Sequence, residues 1–176
     1  QSLRLADSVF GQTVSGKWVY QSEVIDYVEE DLFMAPDLST IRKIPWNKEP
    51  TAQIICDLNY PSGEPSKIAP RQVLKNIIRQ LSDENLRAVV APELEFYLCE
   101  QNLDPDLPLK TPVGKSGRRE TGSRVFGIDA VNEFDKLTDD IYDYCELMNI
   151  GVDTLVHESG PSQIEINLNH GDPLAL

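Results

Sequence analysis

Positive charge is what this sequence lacks most: 16 Lys and Arg stand against 29 Asp and Glu, a formal charge of -13. Such a field repels phosphate, so no nucleic-acid partner is expected, and cations are favoured. Apolar runs are short as well. None approaches the roughly 20 residues needed to span a bilayer, and no leader of charged, apolar and small segments opens the chain, so no membrane partner is expected. Cysteine is scarce: Cys56, Cys99 and Cys145 lie far apart inside apolar or helical patterns. That spacing argues against a disulfide framework and for a reducing, cytoplasmic location. No Met stands at Gln1, so the chain is expected to begin after the start of translation and to stop early. What remains, 40% hydrophobic and 7% aromatic over 176 residues, suits one globular domain or two small ones.

Residues 1 to 65 read as a β-rich unit. Strand-like runs at Lys17–Tyr20 and Ala52–Asp57 are separated by turn signals such as Ala35-Pro36-Asp37 and Pro45-Trp46-Asn47. The segment Pro61-Ser62-Gly63-Glu64-Pro65-Ser66 then marks a boundary, and residues 66–176 form the second expected domain. That domain opens with an apolar period at Val73, Leu74, Ile77, Ile78 and Leu81 behind Pro70, the pattern of a helix with proline in its first turn. A long polar stretch from Glu100 to Arg124 reads as a surface excursion. A second helix follows from Phe134, Leu137, Ile141, Tyr144 and Met148, closed by Gly151. Strands are expected at Val152–Glu158 and Gln163–Leu168, turning through Ser159-Gly160-Pro161-Ser162.

Two of the strand segments pose the same puzzle. In Pro92-Glu93-Leu94-Glu95-Phe96-Tyr97-Leu98, strand alternation puts Glu93, Glu95 and Tyr97 on one face and Leu94, Phe96 and Leu98 on the other. In Gln163–Leu168 it separates Gln163, Glu165 and Asn167 from Ile164, Ile166 and Leu168, with Glu158 closing the strand before. Like charges at neighbouring same-face positions repel, which is tolerated in open water or around a cation. Any one Glu on a half-exposed strand is commonplace. Four together on one sheet surface match the oxygen ligands of a hard divalent cation such as Mg²⁺ or Mn²⁺. His157 and His170 have no partner at metal-ligand spacing in their own segments, so each reads first as structural or surface histidine.

The ordered set of PELEFYL, then Glu158 and Glu165 within HESGPSQIEINLNHGDPLAL, resembles the glutamine synthetase family. Pro36-Asp37-Leu38-Ser39-Thr40, Pro45-Trp46 and Pro70-Arg71-Gln72-Val73-Leu74-Lys75 fit the amino-terminal half of the same family. The resemblance is closer still to its γ-glutamyl-polyamine (glutamate–putrescine) synthetase branch, through Asp104-Pro105-Asp106, Pro112-Val113-Gly114, Asp129–Asp135 and Asp140–Glu146. It implies an α+β fold: a small amino-terminal β-grasp domain followed by the first part of a catalytic domain of antiparallel sheet with helices. It also implies a ligase that uses ATP and divalent metals, Mg²⁺ or Mn²⁺, to phosphorylate glutamate before ammonia or an amine attacks. By the same resemblance Glu95, Glu158 and Glu165 hold one metal, Glu93 holds the metal on the ATP phosphates, and His170 lies near the nucleotide. A homo-oligomeric ring with shared sites is implied too.

Two departures from the family pattern matter. Where ammonia-using members carry an Asp-Gly-Ser-Ser loop that helps bind ammonium, this sequence has Phe10-Gly11-Gln12-Thr13-Val14, without a carboxylate. A larger amine is therefore the favoured acceptor. The sequence also ends at Leu176, before the family's glycine-rich, histidine- and arginine-bearing segments, so the expectation is a fragment inactive alone. Gly114-Lys115-Ser116 resembles the end of a phosphate-binding loop, but the first required glycine falls at Leu109. The basic cluster Lys115, Arg118, Arg119 and Arg124 reads as a solvated loop.

Overall fold

The computed structural model describes residues 3–19, 25, 28–122 and 124–176. The chain divides into two compact units: Gln1–Lys43 with Pro50–Ala88 and Pro173–Ala175, and Ile44–Glu49 with Val89–Asp172 and Leu176.

In the first unit, β1 (Arg4–Ala6), β2 (Asp31–Pro36), β3 (Arg42–Lys43), β4 (Ala52–Gln53) and β5 (Cys56–Asn59) precede α1 (Pro70–Asp83). Three strands form an antiparallel sheet in the order β1-β2-β5, and β3 pairs β4 separately. The run expected to be one strand at 52–57 is two, because the chain breaks at Ile54-Ile55 to change sheets. Tyr20 lies outside the described residues, and Lys17–Val19 contributes an isolated bridge between Trp18 and Gln12. Leu32 is fully buried at the centre of the sheet. Proline opens α1 as the sequence requires, where its missing N–H has no intrahelical partner to lose. The helix is tied to its sheet by charge: Arg71 donates to Asp37 at 2.6 Å and to Asp57 at 2.7 Å, and Lys75 reaches Asp57 at 2.5 Å. The Ser39 hydroxyl, then Arg71, hold the Asp37 carboxyl down at about 2. Burial works against the Asp57 charge, yet Lys75 and Arg71 outweigh it and leave that group lowered also.

The second unit contains β6 (Glu93–Tyr97), α2 (Ile128–Asn132), α3 (Asp135–Leu147), β7 (Val152–His157) and β8 (Gln163–Leu168). Its three strands are antiparallel in the order β6-β8-β7, so the last strand in sequence is the central one. Both α2 and α3 pack against β7. The core is Ala130, Met148, Leu155 and Ile164, and Trp46 meets Tyr144 of α3 at a ring-centroid distance of 5.6 Å. The architecture is α+β, as the family resemblance implies.

Helix α3 ends before Gly151. Asn149 adopts the left-handed conformation at φ 55°, with Asn149 N–H donating to Glu146 O and Ile150 N–H to Cys145 O. Helix α1 ends identically through Asn85 at φ 59°, with Leu86 N–H donating to Leu81 O. Asparagine supplies in both the left-handed residue that glycine more often provides.

Candidate metal centre

Pairing between β6 and β8 sets Glu95 opposite Glu165, Glu93 opposite Asn167 and Tyr97 opposite Gln163. Directly opposed residues share a face, so one surface of the sheet carries Glu93, Glu95 and Glu165, and the other carries Leu94, Phe96, Ile164 and Ile166. Each of the three glutamates offers an oxygen within 4.8 Å of the other two. Among the described residues no Lys, Arg or His pairs with any of them.

Neutral amides partly stand in for a counter-charge. Gln163 Nε2 donates to Glu95 at 2.7 Å and Asn167 Nδ2 donates to Glu165 at 2.8 Å. Gln163 is itself held by Tyr97 OH and by the Gly160 N–H, both donating to its Oε1. A Cβ at Gly160 would lie 2.5 Å from the Tyr97 ring, so a side chain there would push the exposed tyrosine away from Gln163. The donor set, all carboxylate and open on one side, fits a hard divalent cation and leaves room for further oxygen ligands.

Glu158 stands apart from the cluster. The β7–β8 register opposes Val156 to Glu165, and Glu158 N–H donates to Gln163 O, so strand parity puts Glu158 on the acid face. Its carboxylate, however, folds back to accept from the Ser159 N–H at 3.2 Å. His170 is exposed beyond the end of β8, next to Gly171, which bridges Val90. The structure thus brings three of the four expected carboxylates together, and leaves Glu158 and His170 outside that group.

His157 is fully buried on the opposite, core face. Its Nδ1 lies 2.8 Å from Glu158 O and its Nε2 lies 2.9 Å from Glu120 Oε2. Glu120, with a side chain only 9% exposed, went unnoticed in the sequence because it sits in the polar stretch 100–124. Most of that stretch is exposed, as its composition implies, and Glu120 is among the few half-buried residues in it, with Glu100, Thr111, Pro112 and Gly114. Nothing local marks it: its partners are 37 and 42 residues away.

The rest of the stretch carries its own charge balance. Lys115 pairs with Asp135 at 2.8 Å, Arg119 with Glu100 at 2.5 Å and Arg124 with Asp129. Gly117, at φ 77°, turns the loop between Val113 and Arg119. A cavity of about 410 Å³ in this unit is lined by Arg118, Arg119, Arg124, Glu120 and Glu133, away from the three clustered acids.

A family model described as the glutamine synthetase catalytic domain matches residues 67–176. The chain belongs to the glutamine synthetase family. It is 32% identical over 167 residues to the gamma-glutamylputrescine synthetase of Escherichia coli K12, covering 94% of this chain and 35% of that protein. It is 28% identical to a glutamate–isopropylamine ligase of a Pseudomonas species, covering 82% and 31%. To the glutamine synthetase of Mycobacterium bovis it is 30% identical, covering 84% and 32%. The chain therefore spans about a third of the length of these relatives. Among solved structures, a crystal structure of a novel glutamine synthase homolog superimposes with a TM-score of 0.73 at 16% identity, covering 96% of this chain and 36% of that one. The α+β fold is that of the family's amino-terminal part: a small β-grasp domain and then the start of the catalytic domain.

Proposed function

We propose that the protein containing this chain is an ATP-dependent ligase that joins glutamate to an amine through γ-glutamyl phosphate. The observation that carries this reading is the cluster of Glu93, Glu95 and Glu165 on paired strands, inside a match to the family's catalytic domain. In this reading Glu95, Glu158 and Glu165 hold one Mg²⁺ or Mn²⁺, Glu93 holds a second, and His170 lies beside the nucleotide. The bound ions would screen the repulsion between the glutamate carboxylate and the ATP triphosphate. The chain's own part is positional. Gln163 and Asn167 orient the Glu95 and Glu165 oxygens, and the strand pairing fixes their spacing before any ligand arrives.

A polyamine is the favoured acceptor. Supporting this are the absence of a carboxylate in Phe10–Val14 and the names of two relatives, a putrescine and an isopropylamine ligase. Ammonia is the second reading, supported by the 30% identity to a glutamine synthetase. The division into residues 1–65 and 66–176 belongs to the proposal; the family match beginning at residue 67 supports it, whereas compactness groups Pro50–Ala88, with α1, in the first unit. A homo-oligomeric ring and a cytoplasmic location belong to the proposal too, the latter in keeping with the free Cys56, Cys99 and Cys145. No described helix is long and apolar enough to cross a membrane.

The test is ADP release by the full-length protein with Mg²⁺ and glutamate, comparing putrescine and other primary amines with ammonium. Faster turnover with a polyamine is expected. Preference for ammonium would make it a glutamine synthetase, and no ADP with any amine would point to a non-catalytic scaffold.

A further inference from the structure

The buried group on the core face of the β6-β8-β7 sheet has a geometry that reaches the acid face. Glu120 Oε2 accepts from the Ser162 N–H at 2.6 Å and meets His157 Nε2 at 2.9 Å. On the other side of the ring, a carbonyl oxygen can only accept, so His157 Nδ1 donates to Glu158 O at 2.8 Å. Residues 157 and 162 flank the turn that joins β7 to β8. One carboxylate oxygen therefore holds both ends of the turn whose first residue is Glu158.

Two further observations show that this arrangement is imposed on the turn rather than adopted by it freely. Ser162 sits at φ 58°, in the left-handed region that costs a non-glycine residue about 1 kcal/mol. That conformation aims its N–H at Glu120, while its own buried hydroxyl finds no partner among the described residues. His157 is anchored a second time through its backbone, because the Phe126 N–H donates to its carbonyl at 2.8 Å, with Phe126 also at positive φ, 55°. Backbone strain of this kind persists where the surroundings over-determine the geometry, and it gathers at functional sites.

We propose that Glu120 is a positioning residue: acting through His157 and the Ser162 amide, it fixes the 158–162 turn so that Glu158 can join the carboxylates of Glu95 and Glu165 on one cation. The role rests on the metal reading given above. It gives the polar loop a part in the site although the loop contributes nothing to the acid face itself. Groups that orient a metal ligand from behind commonly change affinity by about 10- to 100-fold when removed.

The test is Mn²⁺ binding to the full-length protein, read as free Mn²⁺ by electron paramagnetic resonance, in wild type, E120A, E120Q, H157F, E158Q, E165Q and E120A/E158Q. E120A is expected to weaken Mn²⁺ binding about tenfold, and E120Q, which keeps an acceptor for the Ser162 N–H, to recover most of that loss. H157F keeps the bulk of the ring and removes its hydrogen bonds, so it should repeat the E120A loss even if E120A itself fails to fold. In the E158Q background, E120A should cost nothing further. Mn²⁺ affinity unchanged in E120A or H157F while E165Q weakens it would overturn the positioning role and leave the metal centre standing. A full tenfold further loss in E120A/E158Q would overturn it too, since the effect would not pass through Glu158. If wild type holds no Mn²⁺, or E165Q holds it equally well, the metal reading falls and this inference falls with it.

Discussion

Replacing Glu165 by Gln should stabilise the ion-free protein and destabilise the loaded one. Three carboxylates with oxygens within 4.8 Å of one another form three repelling pairs, each worth about 1 kcal/mol in water. Physiological salt, with a screening length of about 8 Å, roughly halves that. Glu165 takes part in two of the pairs, so its neutralisation relieves about 1 kcal/mol. The isosteric amide keeps an oxygen to accept from Asn167 Nδ2, which confines the change to charge. In chelator the melting temperature of E165Q should therefore rise by about 2–4 °C, the usual response of a protein segment this size to 1 kcal/mol. With Mn²⁺ at a hundred times its dissociation constant the wild type gains about 2.7 kcal/mol that the variant cannot match. The order of the two melting curves then reverses. Differential scanning fluorimetry with and without Mn²⁺ measures this crossing. A variant that melts below wild type in chelator, or that rises in parallel with wild type on adding Mn²⁺, would refute the reasoning.

Other outcomes follow from the packing. Asp37 and Asp57 are both held below their ordinary values. The stability they contribute is thus present above about pH 4, the usual unfolded carboxylate value, and is lost as pH falls towards 2. Urea midpoints between pH 6 and 2 should show that loss in wild type and a flatter profile in Arg71→Met. Ile164→Ala empties a fully buried site on the central strand and should cost about 2–5 kcal/mol, read as a lower urea midpoint. Asn149→Ala places a Cβ residue without a local hydrogen-bonding side chain at φ 55° and should cost about 1 kcal/mol, whereas Asn149→Gly should be close to neutral by the same measurement.

Elements set by local pattern could be read directly from the sequence: α1 and α3 from their apolar periods, and β6 and β8 from alternation. The acid face was legible for the same reason, since side-chain parity is a property of each strand alone. What depends on distant partners was not. The strand order β6-β8-β7 is decided by pairing across more than sixty residues, and the charge of Glu120 gives no sign that the chain will bury it. The helix ends show a third case. Gly151 carries the stronger stop signal, but Asn149 comes first and tolerates the left-handed turn, so the nearer residue ends the helix. Glu158 shows the limit of parity: the face was right, yet its carboxylate turns to the Ser159 amide rather than to the other acids.

The order of the second sheet also bears on how the chain is made. Strand β8 is central, so β6 has nothing to pair with until about 65 further residues have been synthesised, roughly 3–13 s at ordinary translation rates. Through that interval β6 is an unpatched strand carrying Leu94, Phe96 and Tyr97. Charges on an exposed strand discourage edge-to-edge association with other chains. Glu93 and Glu95 supply that protection on the nascent polypeptide, well before Glu165 has been made to stand opposite Glu95.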